Sequence, residues 1–378
     1  MIAYNLQPIA VRGLTGIGNY TLEAARRLID EASELHAFDF LGRNGAAAIL
    51  QENLQMNLSG YDLHIVRSLP LSVYIRMGNM GKLMPYSTLT HSKADLTVFF
   101  NYLTPGGLKG KNMITIYDLV SERFPETMQG RNRRLLQGHL QDSATRASSI
   151  LTISEFSKSE IIDVLGVPEE KIFVGPCGVD TKFYTPGEGF ETQINRKFNM
   201  ERYILYVGTL EPRKNIRTLV EAFSKISDKY PDVKLVLAGG LGWQPEATLK
   251  AIEESKAKDR IIRTGYISNE EKRDLLRNAQ FFVFPSIYEG FGMPVTEAMA
   301  CGTDAVVSES SSLIEISAGL VPLIDPKNAD LWAEAMEEKL QTKADDRKKQ
   351  QLIDHARSYT WDKTAEAARS AIKYASMV

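Results

Sequence analysis

Two cysteines in 378 residues, Cys177 and Cys301, cannot build a disulfide framework, so a reducing setting is expected. Charge of one sign is lacking too. Lys and Arg number 45 against 47 Asp and Glu, a net charge of −2, which argues against a nucleic-acid binder that relies on bulk positive charge. Five histidines lie scattered at 36, 64, 91, 139 and 355 without metal-ligand spacing, so no metal and no cofactor is expected. No run reaches the roughly 18 apolar residues of a membrane span, and no basic-then-apolar export signal opens the chain. A cytoplasmic protein is the expectation, with peripheral contact at the inner face of a membrane left open. What is present is ordinary globular composition, 43% hydrophobic and 24% charged, in a chain longer than one core usually grows. Two domains follow.

The pattern is α/β throughout. In the second half, strand-like runs at Tyr203–Gly208, Val233–Gly239, Arg260–Gly265, Phe281–Phe284, Ala305–Ser308 and Leu320–Ile324 alternate with helical stretches, including Ile216–Tyr230 and Pro245–Lys258. A Ser-x-x-Glu capping box opens another helix at Ser268–Glu271. One doubly wound domain is expected over 200–360. The first half, 1–185, repeats the type with strands at Asp95–Phe100, Met113–Tyr117, Ile150–Ile153 and Ile172–Val174 and helices at Thr21–Asp30, Arg131–Ala147 and Glu155–Leu165. Residues 183–200 read as a linker, and 361–378 as a helix.

The stretch 284–302, FPSIYEGFGMPVTEAMACG, carries the most chemistry. An apolar strand leads through a glycine-bearing turn into a short helix, with Pro294 suited to its first turn and Gly302 to its end. Backbone amides near Gly290, Gly292 and Met293 would mark a helix start, which favours anions. Glu289 and Glu297 flank that start and could accept hydrogen bonds from sugar hydroxyls. For any one of these residues, ordinary turn punctuation or dipole complement explains it about as well. The joint pattern is that of a nucleotide-sugar site.

Glu289-Gly-Phe-Gly-Met-Pro-Val-Thr-Glu297, between PSIYEG and EAMACGT, resembles the two-glutamate signature of the retaining glycosyltransferases of family 4. The likeness spans nearly the whole chain and leans toward bacterial mannosyltransferases of surface polysaccharide (O-antigen) synthesis. It implies the GT-B architecture: two Rossmann-like doubly wound domains facing across a cleft, the first offering the acceptor, the second holding the nucleotide sugar, and the 361–378 helix packing back on the first. It implies further that Glu297 holds ribose hydroxyls and Glu289 contacts the transferred sugar. Relatives contact the nucleotide base at the strand end where Gly265-Tyr266 stands. The turn Gly208-Thr-Leu-Glu-Pro-Arg213-Lys214-Asn215 matches the family's diphosphate-binding turn at Lys214, with Arg213 beside it. On its own such an Arg-Lys pair is more often a solvated turn.

Elsewhere the likeness is looser. Gly16, in Thr15-Gly16-Ile-Gly18-Asn-Tyr20, matches a family loop over the donor phosphates. Tyr117-Asp118-Leu119 stands where many relatives carry His-Asp-Leu, so no histidine role transfers, and Asp118 remains as a catalytic candidate (an acceptor-hydroxyl contact or proton acceptor) or, at least as often, a plain turn cap. Thr209 stands near a position that many relatives fill with Arg. Gly106-Gly-Leu-Lys-Gly110-Lys111 lacks P-loop spacing. Arg131, Arg133 and Arg134 could meet an anionic lipid surface or a lipid diphosphate acceptor, although a solvated helix face is the commoner meaning. The expected activity is hexosyl transfer from a nucleotide sugar, GDP-mannose ahead of UDP-glucose, to a glycan or lipid-linked saccharide. A sugar-nucleotide 2-epimerase of the same fold and a non-catalytic glycosyltransferase-like subunit are the rivals.

Overall fold

The computed structural model describes residues 1–77, 85–108, 110–187, 193–342 and 345–378. The chain divides into two compact units. The first comprises Met1–Pro125, Gly130–Cys177 and Trp361–Val378, the second Glu126–Gln129 and Gly178–Thr360.

The first unit is built on seven parallel strands: β1 (Ile2–Asn5), β2 (Glu34–Phe38), β3 (Asp62–Val66), β4 (Leu96–Phe99), β5 (Lys111–Thr115), β6 (Ser149–Thr152) and β7 (Ile172–Val174). Their order is β3-β2-β1-β4-β5-β6-β7, so the direction of winding reverses between β1 and β4. The sequence pattern does not single out β2 and β3, because ELHAF and DLHIV interleave acids and histidines with apolar residues. The sheet nonetheless buries all of β2, pairing its polar side chains with one another. The helix expected at Thr21–Asp30 starts earlier and runs Gly16–Leu28, since the Thr15 hydroxyl accepts the Gly18 amide and caps the first turn. Helix Trp361–Met377 closes this unit. Its Ala365, Ala368, Ala371 and Ala375 are buried on one stripe, small enough to seat the helix against the sheet, and the Trp361 ring meets Tyr20 edge-on at 5.8 Å.

The second unit carries β8 (Tyr203–Val207), β9 (Lys234–Ala238), β10 (Ile261–Gly265), β11 (Phe281–Phe284), β12 (Ala305–Ser308) and β13 (Leu323–Ile324), again parallel, in the order β10-β9-β8-β11-β12-β13. β8, β11 and β12 are buried from end to end, as strands covered on both faces must be. Helix Ile216–Ile226 buries Ile216, Leu219, Val220, Phe223 and Ile226, the 3–4 spacing of one face, each apolar side chain stabilising by about 1.5–3 kcal/mol. The Ser268–Glu271 capping box is formed on both sides. The strand expected at Leu320–Ile324 shrinks to its last two residues, because Pro322 has no N–H for the ladder and offers only its carbonyl, to Val307. The expected helix Pro245–Lys258 ends at Glu254, and part of the expected linker 183–200 forms the short helix Gln193–Phe198. Residues 188–192 of that linker, and Lys109 of the Gly106–Lys111 loop, lie outside the described residues.

At the carboxyl ends of β8 and β9 two backbones nearly touch. A Cβ on Gly239 would sit 2.1 Å from the Gly208 carbonyl oxygen, and both residues have φ near +150° (+147° and +154°). Among the described residues no helix is long and apolar enough to cross a membrane.

Candidate active site

In the second unit the strand order reverses between β8 and β11. In open α/β sheets ligands bind beyond the carboxyl ends of the strands at such a point. The turn after β8 supplies Arg213 and Lys214, and the turn after β11 supplies Glu289. The two turns are stitched together. Asn215, at φ +55°, donates from Nδ2 to the carbonyls of Pro285 at 3.1 Å and Pro326 at 2.6 Å. The Ile287 amide donates to the Arg213 carbonyl at 2.9 Å. Three serines hold the second turn from behind. The Ser310 hydroxyl donates to the Ile287 carbonyl, Ser311 Oγ accepts the Glu289 amide at 2.9 Å, and Ser312 Oγ lies 2.9 and 2.8 Å from the carbonyls of Glu289 and Phe291. Neither Asn215 nor the serines stand out in the sequence, where they look like turn residues.

Glu289 is the shared anion of this cluster. Lys214 Nζ lies 2.5 Å from its Oε1, and Arg213 Nη1 lies 2.8 Å from its Oε2. Arg213 also reaches the Tyr288 carbonyl at 2.6 Å and Glu211 at 3.0 Å. All three side chains are largely buried, and Lys214 Nζ sits 5.3 Å from the Phe284 ring centroid. Burial pushes the Glu289 carboxyl up, but Arg213 and Lys214 together outweigh it and hold it at about 2. Glu289 is therefore a permanent anion near neutral pH, suited to accepting hydrogen bonds rather than delivering a proton. Lys214 moves the other way. Burial and the neighbouring guanidinium lower it below its ordinary value against the pull of Glu289. It shares Glu289 with Arg213, which also pairs with Glu211, so two cations and two carboxylates meet in this cluster.

Gly292 and Met293 stand at the cap and first position of helix Met293–Ala300, whose opening amides have no partner within the helix. Gly292 has φ +112°, and a Cβ there would lie 2.7 Å from Leu313 Cδ2. Pro294 occupies the first turn, where its missing N–H costs nothing. Glu297, one turn further on, is held separately. Lys272 Nζ lies 2.8 Å from its Oε1, and the same ammonium lies 5.1 Å from the Tyr184 ring centroid. Glu297 Oε2 is buried and meets no geometric hydrogen-bond criterion among the described residues, although the Tyr184 hydroxyl lies within hydrogen-bonding reach of the Glu297 carboxylate. Lys272 is a residue that sequence reading passed over, because on a charged amphipathic helix it looks like one more exposed cation.

The other candidates are dispersed. Gly265, at φ +74°, ends β10, and Tyr266 after it is 90% exposed. β10 lies two strands from β8, roughly 10 Å, so this pair is apart from the carboxylate cluster. Gly16 and Asp118 belong to the first unit. Gly16 is exposed at a helix start with open space around it, whereas its neighbour Gly18 is buried, with Leu14 side-chain carbons and the Pro8 carbonyl 3.2 Å from where a Cβ would stand. Asp118 Oδ1 accepts the Val120 amide at 3.2 Å, the turn-capping geometry. Tyr117 is buried, its hydroxyl donating to the Phe100 carbonyl at 3.2 Å and its ring meeting Tyr20 at 5.3 Å, so it serves as core. Cys177 is likewise buried, and burial raises its thiol well above the usual range. A cleft of about 600 Å³ between helices Ile216–Ile226 and Glu246–Glu254 is lined by Arg217, Glu221, Lys225, Lys250, Glu254 and their neighbours, none of them in the carboxylate cluster.

Comparison with known proteins shows the family and the fold. The family model "Glycosyltransferase Family 4" matches residues 14–183, and "Glycosyl transferases group 1" matches 188–359. The O-antigen chain mannosyltransferase B of Escherichia coli is 31% identical over 334 residues, covering 84% of each chain. An MMP alpha-(1->4)-mannosyltransferase of Mycolicibacterium hassiacum is 33% identical over 175 residues, 46% of this chain and 40% of that one. In structure, Anabaena HepE in complex with UDP and glucose superposes with TM-score 0.72 at 15% identity, covering 98% of this chain and 99% of that one. The lipopolysaccharide glycosyltransferase WaaG gives 0.64 at 14% identity, covering 99% of both. Both units are thus the Rossmann-like domains that GT-B glycosyltransferases carry, and the chain belongs to the glycosyltransferases of family 4.

Proposed function

We propose that the protein transfers mannose from GDP-mannose, with retention at the anomeric carbon, to a glycan or lipid-linked saccharide during surface polysaccharide synthesis. The observation that carries this reading is the Arg213–Lys214–Glu289 cluster at the point where the second sheet reverses its winding. Mannosyltransferases among the relatives support the choice of sugar. Lys214 and the helix-start amides at Gly292 and Met293 take the diphosphate and stabilise the charge it gains on leaving, the preorganised electrostatic help that contributes several kcal/mol in such sites. Glu289, held ionised, accepts hydrogen bonds from the sugar and orients it, with Arg213 keeping the carboxylate in place. Glu297 offers its buried Oε2 to the ribose hydroxyls, and Tyr266 offers an exposed ring to the base. Gly16 and Asp118 are assigned to the donor-phosphate loop and the acceptor hydroxyl of the first unit. The cleft of about 300 Å³ lined by Arg76, Arg134, Leu135 and His139 carries the cations that would meet an acceptor's diphosphate or an anionic membrane surface.

GDP, UDP and dTDP titrated against thermal stability test the reading. GDP should give the largest rise, since a ligand at a hundred times its Kd adds about 2.7 kcal/mol to the folded state. The absence of a shift with every nucleotide would refute it. Labelled GDP-mannose with and without a lipid-linked acceptor then separates transfer from epimerisation, because an epimerase turns over the donor alone.

A further inference from the structure

The first unit holds a second cluster of ionisable groups, unrelated to sugar transfer. β2 and β3 run parallel with Glu34 opposite Asp62 and His36 opposite His64. Residues two apart share a face of a strand, so four potential metal ligands form a two-by-two patch across this strand pair. The two histidines are 28 positions apart in the chain, yet their rings meet edge-on with centroids 5.4 Å apart. Donor atoms of Glu34, His36 and His64 all lie within 4.8 Å of one another. Glu34 Oε2 and His36 Nε2 are 3.3 Å apart, the spacing of about 3.3 Å that two ligands of a tetrahedral zinc ion take at bond lengths near 2 Å.

Three observations separate this patch from an ordinary hydrogen-bonded core. First, His64 Nε2 is itself buried and makes no hydrogen bond among the described residues, although Asp62 Oδ1 lies 2.9 Å away. A ring nitrogen beside a carboxylate without hydrogen-bond geometry suits a shared cation better than a shared proton. Second, the outer contacts of the buried pair are in place. His36 Nδ1 lies 3.1 Å from the Tyr86 hydroxyl, which also accepts from Asn5 Nδ2 at 3.0 Å, so Nε2 can face a metal. Glu34 is fixed by the Ser92 hydroxyl at 2.5 Å and the Lys93 amide at 2.9 Å. Third, the patch is reachable. Glu34 and His36 are fully buried, while the Asp62 side chain is 64% exposed on β3, the edge strand.

We propose that Glu34, His36 and His64, with Asp62 as fourth ligand, bind a zinc ion that clips edge strand β3 to β2. Two imidazoles and two carboxylates form a set suited to zinc rather than to magnesium or calcium, which prefer oxygen alone. The role is structural, and neither the Arg213–Lys214–Glu289 cluster nor transfer depends on it.

The test uses the full-length chain, stripped with a chelator and dialysed against zinc. Metal content by mass spectrometry should read one zinc per chain. Zinc should raise Tm where magnesium and calcium do not, and cobalt(II) should give the intense visible bands of a four-coordinate site. His64→Ala, near the surface and tolerable to the fold, should weaken zinc binding by about tenfold to a hundredfold or more while leaving the zinc-free Tm unchanged. His355→Ala, in the other unit, should change nothing. Sub-stoichiometric zinc in the stripped and reloaded chain, or undiminished zinc in His64→Ala, overturns the proposal and leaves a hydrogen-bonded His–Glu pair. Should His64→Ala fail to fold, the zinc content and cobalt spectrum of the unaltered chain decide by themselves.

Discussion

Replacing Glu289 with Gln removes one negative charge and almost no volume from a buried trio. The fold holds this carboxyl at about 2 instead of its ordinary 4.5, which corresponds to about 3 kcal/mol in favour of the charged form. Because the folded value is depressed, that contribution is fully present above the ordinary value and is lost as pH falls toward 2. At pH 7 the variant should therefore be less stable by about 3 kcal/mol. That is a fall of roughly 6–12 °C in the melting of the second unit, at about 2–4 °C per kcal/mol for a unit of this size. The gap between the two proteins should narrow steadily as pH drops from 5 to 2, where the unaltered carboxyl becomes protonated too. Function should divide along the same line. Arg213 and Lys214 lose their shared counter-ion, so GDP should bind at least as tightly, while sugar transfer should fall by 100-fold or more, a loss of about 3 kcal/mol or more in the transition state. Calorimetry across pH and an initial-rate assay with labelled donor read both arms. A stability difference independent of pH, or a variant that transfers sugar at the normal rate, would refute the reasoning.

Two further outcomes follow from other contacts. Glu297→Gln should weaken GDP by about tenfold, roughly 1.4 kcal/mol, while leaving inorganic pyrophosphate binding unchanged, because the buried Oε2 is assigned to the ribose and not to the phosphates; isothermal titration with both ligands measures this, and an equal loss for both would place Glu297 on the phosphates. Gly239→Ala should destabilise the second unit by several kcal/mol or prevent its folding, since the new methyl meets a backbone oxygen at 2.1 Å, and a near-normal melting temperature would show that the β8 and β9 ends can separate.

The division between what could be read from the chain and what could not has a physical basis. Apolar runs such as FFVF at Phe281–Phe284 and the periodic face of Ile216–Ile226 report burial residue by residue, so they are visible without coordinates. The capping box at Ser268 and the glycine at 292 satisfy local backbone needs, and they too can be read from neighbours in sequence. The glutamate pair and the Arg213-Lys214 turn also lie on short continuous segments. Strands β2 and β3 escape such a reading because their acids and histidines are tolerable only once a neighbouring strand supplies partners.

What the chain by itself determined is the α/β alternation, the anion-favouring helix start and the residues that flank it, all properties of local spacing and side-chain chemistry. Only the tertiary structure decided that Glu289 is the counter-ion of Arg213 and Lys214, that Lys272 holds Glu297, and that His36 faces His64. Those pairings join residues as far as 76 positions apart. They are set by strand order and register, which the sum of many weak burial terms selects and no single stretch of sequence encodes.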